Sequence, residues 1–492
     1  MLALGIDLGT SFVKVSVYDA ATSACIAAIQ YPEIESEIIS KQQQWAEQNP
    51  MNWWQNVKQS ILLLNAKQNY NPINISAIGI AYQMHGLVCL DENNNLVRDS
   101  IIWCDSRSVN IGGKAFSAIG EEYCLNHLLN SPGNFTASKL AWVKENEPEV
   151  FSKIKKIMLP GDYIALQLTG EISTTISALS EGIFWDFKNN KVSLALLDYF
   201  GFDESIIPEI KNTFDTHGYL SEQIALELNL KEGIPVSYKA GDQPNNALSL
   251  NVVNSGEVAA TAGTSGVIYA VTDQLFYDKA SRVNTFAHVN HLPEKNSLGV
   301  LMCINGTGIL YKYLKNLVGQ ELSYSALNTL AESVSAGSDE LIILPFGNGA
   351  ERILNNKNIG CQLLNINFNI HTKAHMIRAA LEGIAFAFHF GFKIMTQNGI
   401  QLNIIKAPKA NLFLSKVFVQ TFVNTTGLTV ELYDCDGSVG AAKGAAIGTS
   451  YFNDISEAFT QNEPIEIFKP QYEINYQEIY DKWELELQKF IK

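Results

Sequence analysis

Two short stretches of the chain carry groups suited to holding phosphate. Gly5-Ile6-Asp7-Leu8-Gly9-Thr10-Ser11 joins an apolar start to Phe12–Tyr18, which alternates like a half-buried strand. A strand, a tight Gly-Thr-Ser turn and a second strand leave backbone N–H groups and two hydroxyls pointing out of the bend. Such a bend cradles phosphate oxygens, and Asp7 stands where it can hold Mg²⁺ directly or through water. Taken by itself the stretch also reads as an ordinary β-hairpin. About half a chain later, Glu257–Ala270 repeats strand, Gly263-Thr264-Ser265 turn and strand. A unit repeated at the start of each half points to a duplicated domain with one phosphate loop from each half. Two such loops facing across a cleft hold a nucleoside triphosphate from both sides.

Other polar groups gather at the ends of apolar runs, where open α/β sheets bind their ligands. Ile75–Ala81 ends in Tyr82-Gln83-Met84-His85-Gly86. Gln83 and His85 offer hydrogen bonds to hydroxyls and Gly86 permits close approach, although a lone histidine is more often a satisfied core residue. Ile101-Ile102 leads into Trp103-Cys104-Asp105-Ser106-Arg107, which reads as a strand delivering polar groups to a rim. Ile234–Ala240 ends at Gly241-Asp242-Gln243-Pro244, so Asp242 stands on a strand-to-helix bend; helix N-capping is the competing use of an Asp there. Asn305-Gly306-Thr307-Gly308 opens a helix carrying Tyr311, Leu314 and Leu317, a start suited to ribose or phosphate contacts. Lys406–Asn411 and Asp434–Ala442 read as adjacent loops able to hold an adenosine. His288 with His291, and His371 with His375 one helical turn apart, lack a third ligand and are not read as metal sites.

These groups need a scaffold, and 492 residues allow two or three domains that each bury a core. A net charge of −15 argues against a nucleic-acid or anionic-membrane partner. No apolar run is long enough to span a bilayer, and Asp7 interrupts the place where a signal peptide needs an unbroken apolar core, so a cytoplasmic protein is expected. Seven cysteines without a Cys-x-x-Cys pair are expected to be reduced, buried thiols. Along the chain, Cys25–Ile29 supplies a third strand, and Asn49-Pro50 caps a helix with Trp54, Val57, Ile61 and Leu64 at helical spacing. Gln44–Gln48 lines a pocket or packs on the surface. Ser/Thr-rich residues 172–186 read as loop and short strand. Ala379–Ala387 is a closely packing helix, and the tail after Gln461 is an acidic, aromatic amphipathic helix.

Together these motifs resemble the FGGY family of carbohydrate kinases, within the actin-like, ribonuclease-H-like ATPase superfamily. The likeness runs over nearly the whole chain, through Gly5–Thr10, Trp103–Arg107, Ser138–Val143, Gly241-Asp242-Gln243 and Ala262–Ser265. Gln83-Met84-His85-Gly86 is most similar to the family's xylulokinases. The resemblance implies an α/β protein of two duplicated ribonuclease-H-like (actin-like ATPase) domains with a cleft between them. The first, 1–248, would bind sugar and carry the first phosphate loop; the second, 249–492, would bind nucleotide. By the same likeness Met84, His85, Gln243 and Trp103 contact the sugar, and Asp242 is the general base. An Asp suits that role, being ionised at pH 7 with a reference pKa of about 3.9. Thr10, Ser11, Thr264 and Gly308 lie along the phosphates, Asp7 orients Mg²⁺, and Ala407 and Asn411 meet the nucleotide. The implied partners are a small sugar and ATP, with Mg²⁺ as cofactor; the oligomeric state stays open, a homodimer being one outcome.

The implied activity is ATP-dependent phosphorylation of D-xylulose at its terminal hydroxyl. The alternatives are another ketose or polyol, an actin-like regulatory ATPase and a silent sugar sensor. Two departures from the family pattern stand out. Lys406-Ala407-Pro408-Lys409-Ala410-Asn411 replaces a Gly-Gly-Gly-type adenine loop, and Asn365 stands near an expected glycine.

Overall fold

The computed structural model describes residues 1–492. The first half builds a five-stranded sheet from β1 (Leu2–Leu8), β2 (Val13–Asp19), β3 (Ala24–Tyr31), β4 (Ile75–Tyr82) and β5 (Val236–Gly241), in the order β5-β4-β1-β2-β3. β1–β2 and β2–β3 run antiparallel, β1–β4 and β4–β5 parallel. The second half builds seven strands: β6 (Glu257–Ala262), β7 (Gly266–Thr272), β8 (Asn284–Ala287), β9 (Leu298–Ile304), β10 (Ile404–Pro408), β11 (Thr429–Tyr433) and β12 (Glu466–Phe468). Their order is β8-β9-β7-β6-β10-β11-β12. Its central five, β9-β7-β6-β10-β11, repeat the order and sense of β3-β2-β1-β4-β5. The duplication suggested by two Gly-Thr-Ser turns is thus a duplication of topology, and the two turns are its β1–β2 and β6–β7 hairpins.

Both faces of β1 are apolar because both are covered. On one side lies α1 (Pro50–Asn65), whose Asn49 cap accepts the Met51 N–H at 2.8 Å and whose Trp54, Val57, Ile61 and Leu64 are buried. The helices that bear on the site follow in order: α2 (Ile176–Glu181), α3 (Asp242–Ser249), α4 (Gly308–Val318), α5 (Lys373–Gln397) and α6 (Gly437–Gly448). The opposite face of the first sheet receives α6, which comes from the second half. Gly5 and Gly79 are register partners on β1 and β4, and a side chain on either would collide with the α6 backbone. Ala441, Ala442 and Ala445 complete this close packing. A third apolar cluster spans the halves, joining Met84, Phe135 and Ile183 to Tyr269, Phe286 and Leu301.

Several expectations differ from the structure. Residues 172–186 are not mainly loop: Thr175 caps α2, a helix of only six residues, too short for its spacing to stand out from the Ser/Thr-rich text around it. The adenosine-loop expectation begins too early, because Lys406–Pro408 completes β10 between β6 and β11. His371 precedes α5, so only His375 is helical. Leu317 lies on the outer side of α4, 60% exposed, while Tyr311 and Leu314 are buried. All seven cysteines are free, but only Cys89 and Cys124 are buried. His288 and His291 are buried in ordinary hydrogen bonds to Tyr269, Val252 and Ser297.

Candidate active site

Two cavities meet at the Gly263–Ser265 turn. One, of about 480 Å³, lies between the halves and is lined by Met84, His85, Trp103, Asp242 and Gln243 from the first half and by Ser265 from the second. The other, of about 660 Å³, belongs to the second half and is lined by Gly263, Thr264, Gly308, Tyr324 and Asn411. The turn is therefore a wall shared by both. It is fastened to the start of α4, where Gly308 and Ile309 N–H donate to the carbonyls of Gly263 and Thr264 at 2.9 and 3.1 Å. A side chain at Gly308 would strike the Gly263 carbonyl, which fixes glycine there. The N–H groups of Thr10, Ser11, Thr264 and Ser265 have no acceptor within the protein, as expected of turns built to hold an anion.

His85 is held at three points. Its N–H donates to Glu181 Oε2 (3.1 Å), its ring Nδ1 lies 3.0 Å from the Glu181 carbonyl oxygen, and its own carbonyl accepts from Lys139 Nζ (2.7 Å). These contacts hold a left-handed backbone at φ 62°, unusual for a residue with a side chain. A carbonyl can only accept, so Nδ1 carries the proton and Nε2 is left as an acceptor with no protein partner. Burial and the nearby Lys139 push the ring's pKa down to about 3, so it stays neutral. Glu181 closes the arrangement by accepting from Tyr82 OH at 2.8 Å, and burial holds its pKa well above the ordinary carboxylate range. The sequence reading missed Glu181 and Lys139. The available signal was a carboxylate at the end of the otherwise uncharged Ile176–Ser180.

Asp242 is the first residue of α3, and Gly241 occupies the N-cap position without a side-chain cap bond. Its carboxyl opens on the 480 Å³ cavity. Burial, then the nearby Asp7, raise its pKa to about 7, well above the ordinary value expected from the sequence. Asp7, at the end of β1, is raised to about 6 by burial and by Asp436, while Lys14 pulls the other way. Gly437, at the start of α6, lets that helix approach the Asp7 carboxylate closely. The Asp434–Ala442 segment is thus tied to the Asp7 neighbourhood, with Asp436 paired to Lys14 at 3.1 Å, and does not line the nucleotide-sized cavity.

The remaining expected residues divide. Trp103 lines the inter-half cavity and its indole N–H donates to Thr10 Oγ1 (2.8 Å), which itself donates to Gln83 Oε1 (2.9 Å). Gln83 is buried in this network and bonded to Gln48, so it supports the wall instead of meeting a ligand. Arg107 and Asp105 do not reach a rim either; they form a buried ion pair, with the guanidinium 3.9 and 4.8 Å from the ring centroids of Trp45 and Trp142. Ser11 flanks the first turn and lines neither cavity, while Thr264, Gly308 and Asn411 line the larger one. Ala407 does not reach it, because it is fully buried within β10.

The profile for the N-terminal domain of the FGGY family of carbohydrate kinases matches residues 2–249, and that for its C-terminal domain matches residues 258–451. The chain belongs to this family. Among FGGY relatives, it is 29% identical to the xylulose kinase of Lactococcus lactis over 98% of this chain and 95% of the relative. It is 28% identical to the xylulose kinase of Escherichia coli over 90% and 88% of the two chains. The fold is that of the ligand-bound xylulose kinase structure from Lactobacillus acidophilus (TM-score 0.89, 22% identity, 99% and 98% coverage). The FGGY chain has no helix long and apolar enough to cross a membrane.

Proposed function

We propose that the chain transfers the γ-phosphoryl group of ATP to the terminal hydroxyl of D-xylulose, with Asp242 as general base. The observation that carries this reading is the shared wall. Ser265 faces the cavity that holds Asp242, Met84, His85 and Gln243, while Gly263 and Thr264 face the other. A sugar and a nucleotide on either side of one Gly-Thr-Ser turn have the adjacency that in-line phosphoryl transfer requires. The xylulose kinases among the relatives supply the choice of sugar. A base whose pKa lies near neutrality can take the hydroxyl proton as the new P–O bond forms.

Asp7 suits Mg²⁺ that arrives with the nucleotide. Its carboxyl is crowded by burial and by Asp436, and a divalent cation would relieve that crowding. Held through one carboxylate, the ion would keep several waters and phosphate oxygens in its shell. The ion would neutralise charge on the transferring phosphoryl group. The halves 1–248 and 249–492 serve as the two bodies around the cleft, and closure over the sugar excludes water from the phosphoryl group. Asn411 lines the larger cavity and would meet the adenosine there. Sugar-dependent ADP release across ketoses, polyols and sugar acids tests the reading: D-xylulose should be the preferred acceptor. Equal use of D-xylulose and glycerol would sink the choice of sugar.

A further inference from the structure

The chain has five arginines. Four are ion-paired: Arg98 with Glu47 and Glu147, Arg107 with Asp105 and Glu47, Arg282 with Asp278, and Arg378 with Glu382. Arg352 has no carboxylate partner. Its guanidinium lines the same cavity as Asp242 and makes one hydrogen bond within the protein, from Nη1 to Asn284 Oδ1 at 2.7 Å. A planar guanidinium has five N–H donors, and a half-buried cation that leaves most of them without a protein acceptor presents them to whatever fills the cavity. Burial depresses its pKa, with only the Cys303 thiol opposing. Glu351, the adjacent carboxylate, lines the same cavity but makes no ion pair with Arg352; it accepts the Asn305 N–H at 2.9 and 3.1 Å.

We propose that Arg352 is a specificity-determining residue whose guanidinium donates to a carbonyl or carboxylate oxygen of the substrate. The cavity then favours a ketose or a sugar acid over the polyol with the same carbon chain. This rests on the assignment of the 480 Å³ cavity to the acceptor sugar. His85, in the same lining, is complementary: its Nε2 is an acceptor and suits a hydroxyl donor, while Arg352 can only donate. A carbonyl or carboxylate oxygen has no proton of its own to place, and it takes the charge-assisted bond more strongly than an sp³ hydroxyl. The residue follows the Gly-rich stretch Gly347-Asn348-Gly349-Ala350 after an apolar strand, Ile342–Phe346, so the strand-end logic that marks His85 marks it too.

Calorimetric binding of D-xylulose, D-xylonate and xylitol to the whole protein tests the proposal. Wild type should bind the ketose or the acid about 10- to 100-fold more tightly than xylitol, the range for a hydrogen bond to a charged group. Arg352→Gln should bring the three ligands to within about threefold of one another, by weakening the ketose and the acid far more than xylitol. The substitution strands no carboxylate, so folding is not at stake. Arg352→Lys, which keeps the charge but loses the planar fork, should retain part of the preference. A tighter acid than ketose supports the proposal and moves the substrate class to sugar acids. Equal binding of all three by wild type, binding of none, or a uniform loss in Arg352→Gln overturns it. Binding of D-xylulose without sugar-dependent ADP release would instead refute the assigned kinase reaction, leaving Arg352 to be judged on binding alone.

Discussion

Asp242→Asn separates the base from every lesser use of that residue. In the folded protein the carboxyl has a pKa of about 7, raised by burial and then by Asp7. With that value roughly half of the free enzyme carries an ionised base at pH 7 and about a tenth at pH 6. The kcat/KM for D-xylulose should therefore fall about tenfold per unit below pH 7. Asparagine cannot take the proton, so turnover should drop about 10²- to 10⁴-fold while calorimetry still detects sugar binding. Stability should move the opposite way. A carboxyl with a folded-state pKa above its unfolded value of 3.8 favours the folded state while protonated, and this advantage is lost as pH rises from 3.8 through about 7. Asp242→Asn should thus raise the melting temperature at pH 8, by the equivalent of on the order of 2 kcal/mol because the carboxyl opens on a wet cavity, and leave it nearly unchanged at pH 4. ADP-release kinetics and thermal melts from pH 4 to 9 read both effects. Near-normal turnover with a lowered melting temperature at pH 8 would refute the reasoning on both counts.

Asp7→Asn should depress kcat more than sugar affinity and shift the acid limb of kcat/KM to lower pH, since it removes a like charge beside Asp242. An unmoved limb in the pH profile would uncouple the two carboxylates. His85→Ala should weaken D-xylulose binding by about 1–3 kcal/mol without changing slow sugar-independent ATP hydrolysis. Because His85 stays neutral with a pKa of about 3, no inflection near pH 6.5 should mark the sugar KM in wild type. Glu181→Ala should raise the sugar KM about tenfold or more with the ATP KM unchanged, whereas Glu181→Gln should retain wild-type affinity because Tyr82 OH can reverse its hydrogen bond. Equal loss in both variants would make charge, not geometry, the property that matters. Asn411→Ala should raise the ATP KM several-fold and spare the sugar KM, a split read from initial-rate kinetics.

What the sequence disclosed followed from repetition and from strand ends. Two Gly-Thr-Ser hairpins announce a doubled topology because the same local geometry needs the same residues twice. Met84, His85 and Asp242 are legible because each follows an apolar run whose carboxyl end must meet the ligand side of a parallel sheet. Legibility stops where a residue's use depends on partners far away in sequence. Glu181 lies 96 residues from His85, in a helix of only six residues, too short for its periodicity to be distinguished from loop. Gln83 has the chemistry of a sugar ligand but is consumed by Thr10 and Gln48, a pairing no local pattern reveals. Arg352 looks like any surface charge until the other four arginines are seen to be paired. Ala407 does not reach the cavity because the first three residues of the expected loop, Lys406–Pro408, are strand and take it into the core.

The placement of α6 on the first sheet bears on how the protein can be divided. The segment Gly437–Gly448 is translated after nearly nine-tenths of the chain, yet it covers the face formed by Ala3, Gly5, Ala77 and Tyr238. A fragment ending at residue 248 would leave that small-residue face open to water, with two glycine backbones that no other element of the fragment can cover. On the ribosome the first sheet therefore waits for the carboxyl-terminal part of the chain before its core is sealed. The duplicated halves cannot be exchanged as cassettes between relatives by a single cut, because one crossover would separate the first sheet from the helix that fits it. Grafting would have to carry Gly437–Gly448 together with residues 1–248, as one unit of packing discontinuous in sequence.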